Sequence, residues 1–137
     1  MAVHVMTVLA YKDGDRVTST FLAGSVNTNP VIIRRLLLAL QQARLVETGK
    51  GAGSGSRLSR SPARINLAEI YRAVEDCEPF ATPSRKPNAE CPVGHCIRHA
   101  LEMVFASAQR ALEKDLAQTT LAGLIDQVKS SGVCRGK

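Results

Sequence analysis

Residues Asn29 to Leu58 read NPVIIRRLLLALQQARLVETGKGAGSGSRL, and this stretch decides the fold. Asn29-Pro30 is a helix start. Asn is a good N-cap, and Pro at the first helical position lacks only an N–H that the helix leaves unpaired there anyway. Ile33, Leu36, Leu37 and Leu40 then recur at helical spacing as the inner stripe of a helix running to about Ala43. Leu45-Val46-Glu47-Thr48 reads as a short strand, Gly51-Ala52-Gly53-Ser54-Gly55 as a flexible tip, and Ser56-Arg57-Leu58-Ser59 as the return strand. A glycine-rich tip can resemble a phosphate loop. Here no Gly-Lys-Ser/Thr follows and no helix begins, so it reads as the turn of a hairpin.

Upstream, Val3, Val5, Met6, Leu9 and Ala10 predict a short first helix, with His4 as a packed histidine, and Asp13-Gly14-Asp15 is a turn. Thr18 or Ser19 caps a second helix through Phe21, Leu22 and Ala23, which Gly24 to Thr28 breaks. Downstream, Asn66 caps a helix with Leu67, Ile70, Tyr71 and Val74 on one side, and the Pro-rich segment from Glu78 to Glu90 is an irregular loop. Pro92 opens a long helix, in which Ile97, Leu101, Val104, Ala108 and Ala111 follow at spacings of four, three, four and three. Phe105, Leu112 and Leu116 broaden that stripe. It packs either within the chain or, as the preferred reading, as the seam of a two-helix dimer. Thr119 or Thr120 caps a last helix through Leu121, Leu124, Ile125 and Val128. The expected units are 1–76, a loop at 77–91, dimerisation helices at 92–129 and a flexible tail at 130–137.

The 137 residues are 45% hydrophobic but only 4% aromatic, enough for one aliphatic core, which excludes a disordered or collagen-like chain. No run of eighteen apolar residues offers a membrane span, and Met1 to Ala10 lacks the basic start of a secretory signal, so a cytoplasmic protein is expected. The net charge is +6, and its placement is informative. Between Val31 and Arg64 stand seven basic residues (Arg34, Arg35, Arg44, Lys50, Arg57, Arg60 and Arg64) and one acid, Glu47. Elsewhere bases and acids cancel. A neutral protein with one basic block suggests a surface for a polyanion.

Three short helices followed by a two-stranded hairpin is the order of a winged helix-turn-helix. The fold expected is therefore mainly α with a β-hairpin wing, followed by a long C-terminal dimerisation helix. In that fold the third helix enters the major groove of DNA and the hairpin touches its backbone or minor groove. With Ile33, Leu37 and Leu40 inward, Val31, Arg35, Leu38 and Gln42 point outward and Arg34 lies on the flank. Arg and Gln read purine edges, and an outward Leu38 can meet a thymine methyl. Asn27, Thr28 and Asn29 stand at the helix N-terminus, where a phosphate can be held, and Lys50 and Arg57 flank the wing.

These segments carry a resemblance. Thr18-Ser19, Ser25 through Leu37, Ala43-Arg44-Leu45-Val46-Glu47, the glycine-rich wing, Ile65 through Glu75 and Cys91-Pro92-Val93-Gly94 resemble the Rrf-type family of bacterial winged helix-turn-helix transcriptional regulators, which holds IscR, NsrR, CymR and YwnA-like proteins. The likeness covers nearly the whole chain. It implies a homodimeric repressor that binds double-stranded DNA at an inverted-repeat operator. It adds Thr18 and Ser54 to the DNA-binding candidates and implies a dimer interface on Ile97, Leu101, Val104, Phe105, Ala108 and Leu112. Arg44 stands where the family usually has a glycine, and Ser54 and Ser56 replace a glycine and an aromatic of the usual wing.

The cluster-carrying members place three cysteines near the start of the long helix, whereas here only Cys91 and Cys96 lie there. A cluster takes four ligands, so no cofactor and no metal site is expected, with an iron–sulfur cluster completed by His95 or His99 as the alternative. Cys91 precedes Pro92 at the helix start, where the positive helix end favours a thiolate. Positions five apart on a helix stand roughly 8–9 Å from each other, beyond disulfide reach. A bridge from Cys91 therefore needs Cys77 or a cysteine of a second subunit. Thiol sensing by Cys91, Cys96 and Cys77 is the expected regulation, against the alternative that Cys91 is a structural cap. No catalytic constellation is visible, so the chain is not expected to be an enzyme. The rival class is a protein-interaction adaptor on the same scaffold, which would have no use for a basic block confined to the helix and wing.

Overall fold

The computed structural model describes residues 1–75 and 85–131. Three helices open the chain: α1 (Ala2–Tyr11), α2 (Ser19–Val26) and α3 (Pro30–Gln42). Strands β1 (Val46–Gly49) and β2 (Gly55–Leu58) form the hairpin, and a single 3-10 turn at Pro62–Arg64 leads into α4 (Leu67–Val74). Two helices complete it: the 25-residue α5 (Pro92–Leu116) and α6 (Leu121–Ser130).

Local chemistry sets most boundaries. Thr18 Oγ1 accepts from the Phe21 N–H at 3.2 Å and caps α2. That helix outruns its expected end, passing through Gly24 to Val26. A helical glycine costs about 1 kcal/mol, too little to stop a helix whose Leu22 and Ala23 are buried. The stop falls at Asn27, whose φ of 57° is left-handed and which lets the Thr28 N–H reach the Ala23 carbonyl. Asn29 Oδ1 accepts from the Val31 N–H at 2.8 Å, with Pro30 in the first turn, and so starts α3. Asn66 and Glu69 form a reciprocal capping box on α4, each 3.0 Å from the other's backbone N–H.

The hairpin pairs Val46 with Leu58, Glu47 with Arg57, Thr48 with Ser56 and Gly49 with Gly55. It is anchored from the far side by Val17, which exchanges two backbone hydrogen bonds with Ser56 at 2.9 and 2.8 Å. Gly55 allows this, because a Cβ there would stand 3.0 Å from the Val17 carbonyl oxygen. One aliphatic core lies beneath: Val5, Met6 and Leu9 of α1, Leu22 of α2, Ile33, Leu37 and Leu40 of α3, Leu45 and Val46 beside the wing, and Ile65 and Ile70. Two expectations change. The 92–129 unit grouped α6 with α5, but α6 adds Leu121 and Ile125 to this same core and packs on α1. Backbone bonds from Leu121 N–H to Ile65 O (2.8 Å) and from Leu67 N–H to Thr119 O (3.0 Å) fasten it there. His4 is exposed rather than packed, and its Nε2 lies 3.2 Å from Ser25 Oγ.

Helix α5 is different. None of its 25 residues is buried. It leans on α4, where Arg72 and Glu113 form an ion pair at 2.6 Å.

Candidate nucleic-acid interface

Helix α3 presents two opposed faces. At about 100° per residue, Ile33, Leu37 and Leu40 cluster on one side, and all three are buried. Val31, Arg35, Leu38 and Gln42 fall within about 60° of one another on the opposite side, and all four are exposed. Arg34 lies on the flank, exposed. The outward face thus combines two long hydrogen-bonding side chains with two bare aliphatic ones.

The C-terminus of α3 is shaped to deliver the chain into the wing. The Leu45 N–H bonds the Leu40 carbonyl and the Arg44 N–H bonds the Gln41 carbonyl, both at 2.9 Å. With Leu40 and Leu45 both buried, this is a Schellman closure, and it requires a left-handed residue at position 44. Arg44 adopts it, with φ of 57°. Its carbonyl accepts from Ser59 Oγ at 2.5 Å, so the strained residue also braces the end of the wing.

The basic block divides into tethered and untethered charges. Arg57 pairs with Glu47 across the hairpin at 3.1 Å, and Arg60 pairs with Glu69 at 2.6 Å. Burial pushes the Glu69 carboxyl up, but the Asn66 backbone N–H and the guanidinium groups of Arg60 and Arg72 outweigh it and hold the group below its usual range. Among the described residues no ion pair engages Arg34, Arg35, Arg44, Lys50 or Arg64. Lys50 and Ser54 are exposed at the wing turn.

The other candidates fare unevenly. Thr18 and Asn29 use their side-chain oxygens as helix caps, so each positions a helix before it can hold a phosphate. Asn27 forms the left-handed bend between α2 and α3, and Thr28 continues that bend through its backbone. Arg16 was not among the sequence candidates, yet its Nη1 donates to the Gly55 carbonyl at 3.2 Å and sets a cation beside the wing. Nothing local signals this, because Asp13 and Asp15 cancel the charges of Lys12 and Arg16 in the sequence and only the fold joins Arg16 to residue 55.

On α5 the expected stripe is partly exposed among the described residues. Ile97, Val104 and Leu112 are exposed, and Leu101, Phe105 and Ala108 are half-buried. Cys91 is the N-cap of α5 and its thiol is exposed and free, as is that of Cys96. Gly94 lets the chain fold back over this first turn, since a Cβ there would collide with the Asn88 carbonyl oxygen. Cys77 lies outside the described residues.

Comparison with known proteins fits this geometry. The family described as Rrf2, iron-dependent transcriptional regulator, matches residues 1–127. This chain belongs to the Rrf2 family. It is 36% identical over 128 residues to YwnA of Bacillus subtilis, named as an HTH-type transcriptional regulator, with 93% of this chain and 94% of that one covered. It superposes on a transcriptional regulator from Lactobacillus plantarum with a TM-score of 0.77 and 26% identity, over 96% of this chain and 89% of that one. CymR, the global cysteine regulator of Bacillus subtilis, gives a TM-score of 0.62 at 25% identity, over 92% and 91% of the two chains. The Rrf2 member described here is thus a DNA-binding transcriptional regulator with a winged helix-turn-helix fold, and no helix among its described residues is long and apolar enough to cross a membrane.

The family's description names iron. Among the described residues no group of three His, Cys, Asp or Glu side chains is gathered, and Cys91 and Cys96 are separated by more than a helical turn, while Cys77 and Cys134 lie outside those residues.

Proposed function

We propose that this Rrf2 protein is a homodimeric repressor that reads an inverted-repeat operator with α3 and clamps the flanking backbone with its wing. The observation that carries the reading is the outward face of α3. Arg35 and Gln42 stand there, opposite a fully buried face, inside the segment that holds the whole +6 charge. The dimer is supported by α5, a 25-residue helix with no buried residue, on whose stripe Ile97, Val104 and Leu112 are exposed. Two copies crossing along that stripe would set their recognition helices about 34 Å apart, one turn of DNA.

The test is DNA binding across salt concentrations. Affinity is expected to fall steeply as salt rises, because several phosphates are neutralised. Arg35→Ala is expected to lose discrimination between operator and random DNA, and Lys50→Ala to weaken both alike. Unchanged binding in both variants would refute the assignment of helix and wing.

A second reading concerns the signal, and the exposed thiol of Cys91 at the N-cap of α5 favours it. Peroxide would transfer one oxygen to the Cys91 sulfur, giving a sulfenic acid, and leave as water. The product changes charge and packing at the root of the dimer helix. A shift of about 1.4 kcal/mol there is a tenfold change in operator affinity. Peroxide is expected to weaken binding reversibly in the wild type and not in Cys91→Ser, with Cys96→Ser responding normally. Operator binding indifferent to peroxide in the wild type would leave Cys91 as a cap residue alone.

A further inference from the structure

We infer that Val31 and Leu38 are specificity residues that select thymine by its C5-methyl group, on either side of a base read by Arg35. The inference deepens the reading of α3 as the recognition helix and rests on it.

Val31 is 57% exposed and Leu38 56%. Both sit on the outward face, about 20° apart around the helix, so neither can turn into the core without taking Arg35 and Gln42 with it. Ile32 is also exposed but stands about 100° away from Val31, on the flank. An aliphatic side chain gains nothing from phosphate oxygens or from purine acceptors. The apolar group that the major groove offers is the thymine methyl, and it distinguishes T·A from C·G, where that position carries only hydrogen. The occupant of this face is argued to be DNA, because untethered Arg34 and Arg35 surround the aliphatic pair within the basic block.

The spacing constrains the pattern. Val31 and Leu38 are seven residues apart, about 10.5 Å along the axis, and Arg35 lies between them. At about 3.4 Å per base step, that span covers roughly three steps. Val31 is placed early in α3, with its N–H held by Asn29 Oδ1, and the N-terminal part of a recognition helix reaches deepest into the groove. A half-site with two thymines about three steps apart, flanking a guanine for Arg35, satisfies all three side chains.

The experiment selects the preferred operator from random duplexes with the full-length protein. It then replaces each half-site thymine by uracil, one at a time, which removes only the methyl. Binding is read by fluorescence anisotropy for the wild type, Val31→Ala and Leu38→Ala. Both residues are exposed, so the variants are expected to fold, and circular dichroism checks this. Loss of one buried methyl contact predicts about fourfold weaker binding, equivalent to about 0.8 kcal/mol, at two positions for the wild type. At one of these the effect disappears in Val31→Ala, at the other in Leu38→Ala. The proposal is overturned if uracil is tolerated at every position, or if it weakens wild type and variants equally. Arg35→Ala separates the two levels. If it abolishes discrimination while uracil is tolerated, α3 reads the operator without its aliphatic residues. If Arg35→Ala, Val31→Ala and Leu38→Ala all bind the selected site like the wild type, the recognition helix itself is misassigned, and this inference falls with it.

Discussion

Arg44 offers a direct test of how the recognition helix is joined to the wing. A non-glycine residue at a φ of 57° carries a Cβ crowded against its own carbonyl, a strain of about 1–2 kcal/mol. Glycine removes that strain but makes the unfolded chain more flexible, which returns about 0.4–1 kcal/mol. Arg44→Gly should therefore stabilise the fold by about 0.5–1 kcal/mol, raising Tm by about 2–4 °C for a chain of this size. The Schellman bonds from Arg44 and Leu45 are backbone bonds and survive the change. Asn27 is the internal control. It has the same φ of 57°, but asparagine tolerates this region, so Asn27→Gly should raise Tm by much less. The assay is thermal unfolding by circular dichroism at one fixed protein concentration, since association also shifts Tm. A Tm for Arg44→Gly at or below that of wild type, or a gain no larger than that of Asn27→Gly, would refute the strain argument.

Val104 is 60% exposed in the middle of the α5 stripe, and Val104→Asp is expected to give monomers that lose operator binding while the winged domain stays folded. Light scattering at micromolar concentration checks this, and a monodisperse wild-type monomer would end the dimer reading. Glu69 predicts an acid dependence. Its carboxyl is held below its ordinary value near 4.5, so the folded state favours the carboxylate. The stabilisation from its capping box and from Arg60 is present above that pH and lost as pH falls through the folded value. Glu69→Gln keeps the capping-box acceptor and loses the charge beside Arg60, so it is expected to cost about 0.5 kcal/mol near neutrality, with a Tm gap from wild type that closes as pH falls below 4.5. A gap independent of pH would show that the charge of Glu69 does not contribute.

What the sequence made legible was the chemistry that acts within a few residues. Asn29-Pro30, Asn66 as a cap, the spacing of Ile33, Leu37 and Leu40, and the glycine-rich tip between two short strands each state their structure locally, and each appears in the fold, with the strands displaced by one residue. The left-handed Arg44 was legible only through the resemblance, because nothing in its own side chain asks for that conformation. Contacts across long stretches of chain were not legible. The bridge from Val17 to Ser56, the hydrogen bond from Arg16 to Gly55 and the backbone pairing that ties α6 to Ile65 all depend on where the core brings distant segments. For the same reason α6 read as part of a dimerisation unit. Its periodicity announces an amphipathic helix but does not say which surface receives it.

The same ambiguity bears on the exposed apolar residues of α5 and of α3, and their polar company distinguishes them. Between Ile97 and Leu112 the stripe on α5 spans roughly 120° without one charged residue inside it. A surface of that kind is satisfied by another like itself, since any polar partner would lose hydrogen bonds to water and gain none. On α3 the aliphatic residues are fewer and are interleaved with Arg35 and Gln42 within one narrow face. A second copy of that face would set arginine against arginine, so self-association there is disfavoured. Its complement must present acceptors and small apolar groups a few ångströms apart, within a field that attracts cations. The floor of the major groove has that composition, with purine acceptors, thymine methyls and phosphates on both walls. Under the proposed reading, one helix face suits a second protomer and the other suits DNA. The difference lies in what stands between the apolar residues rather than in how many there are.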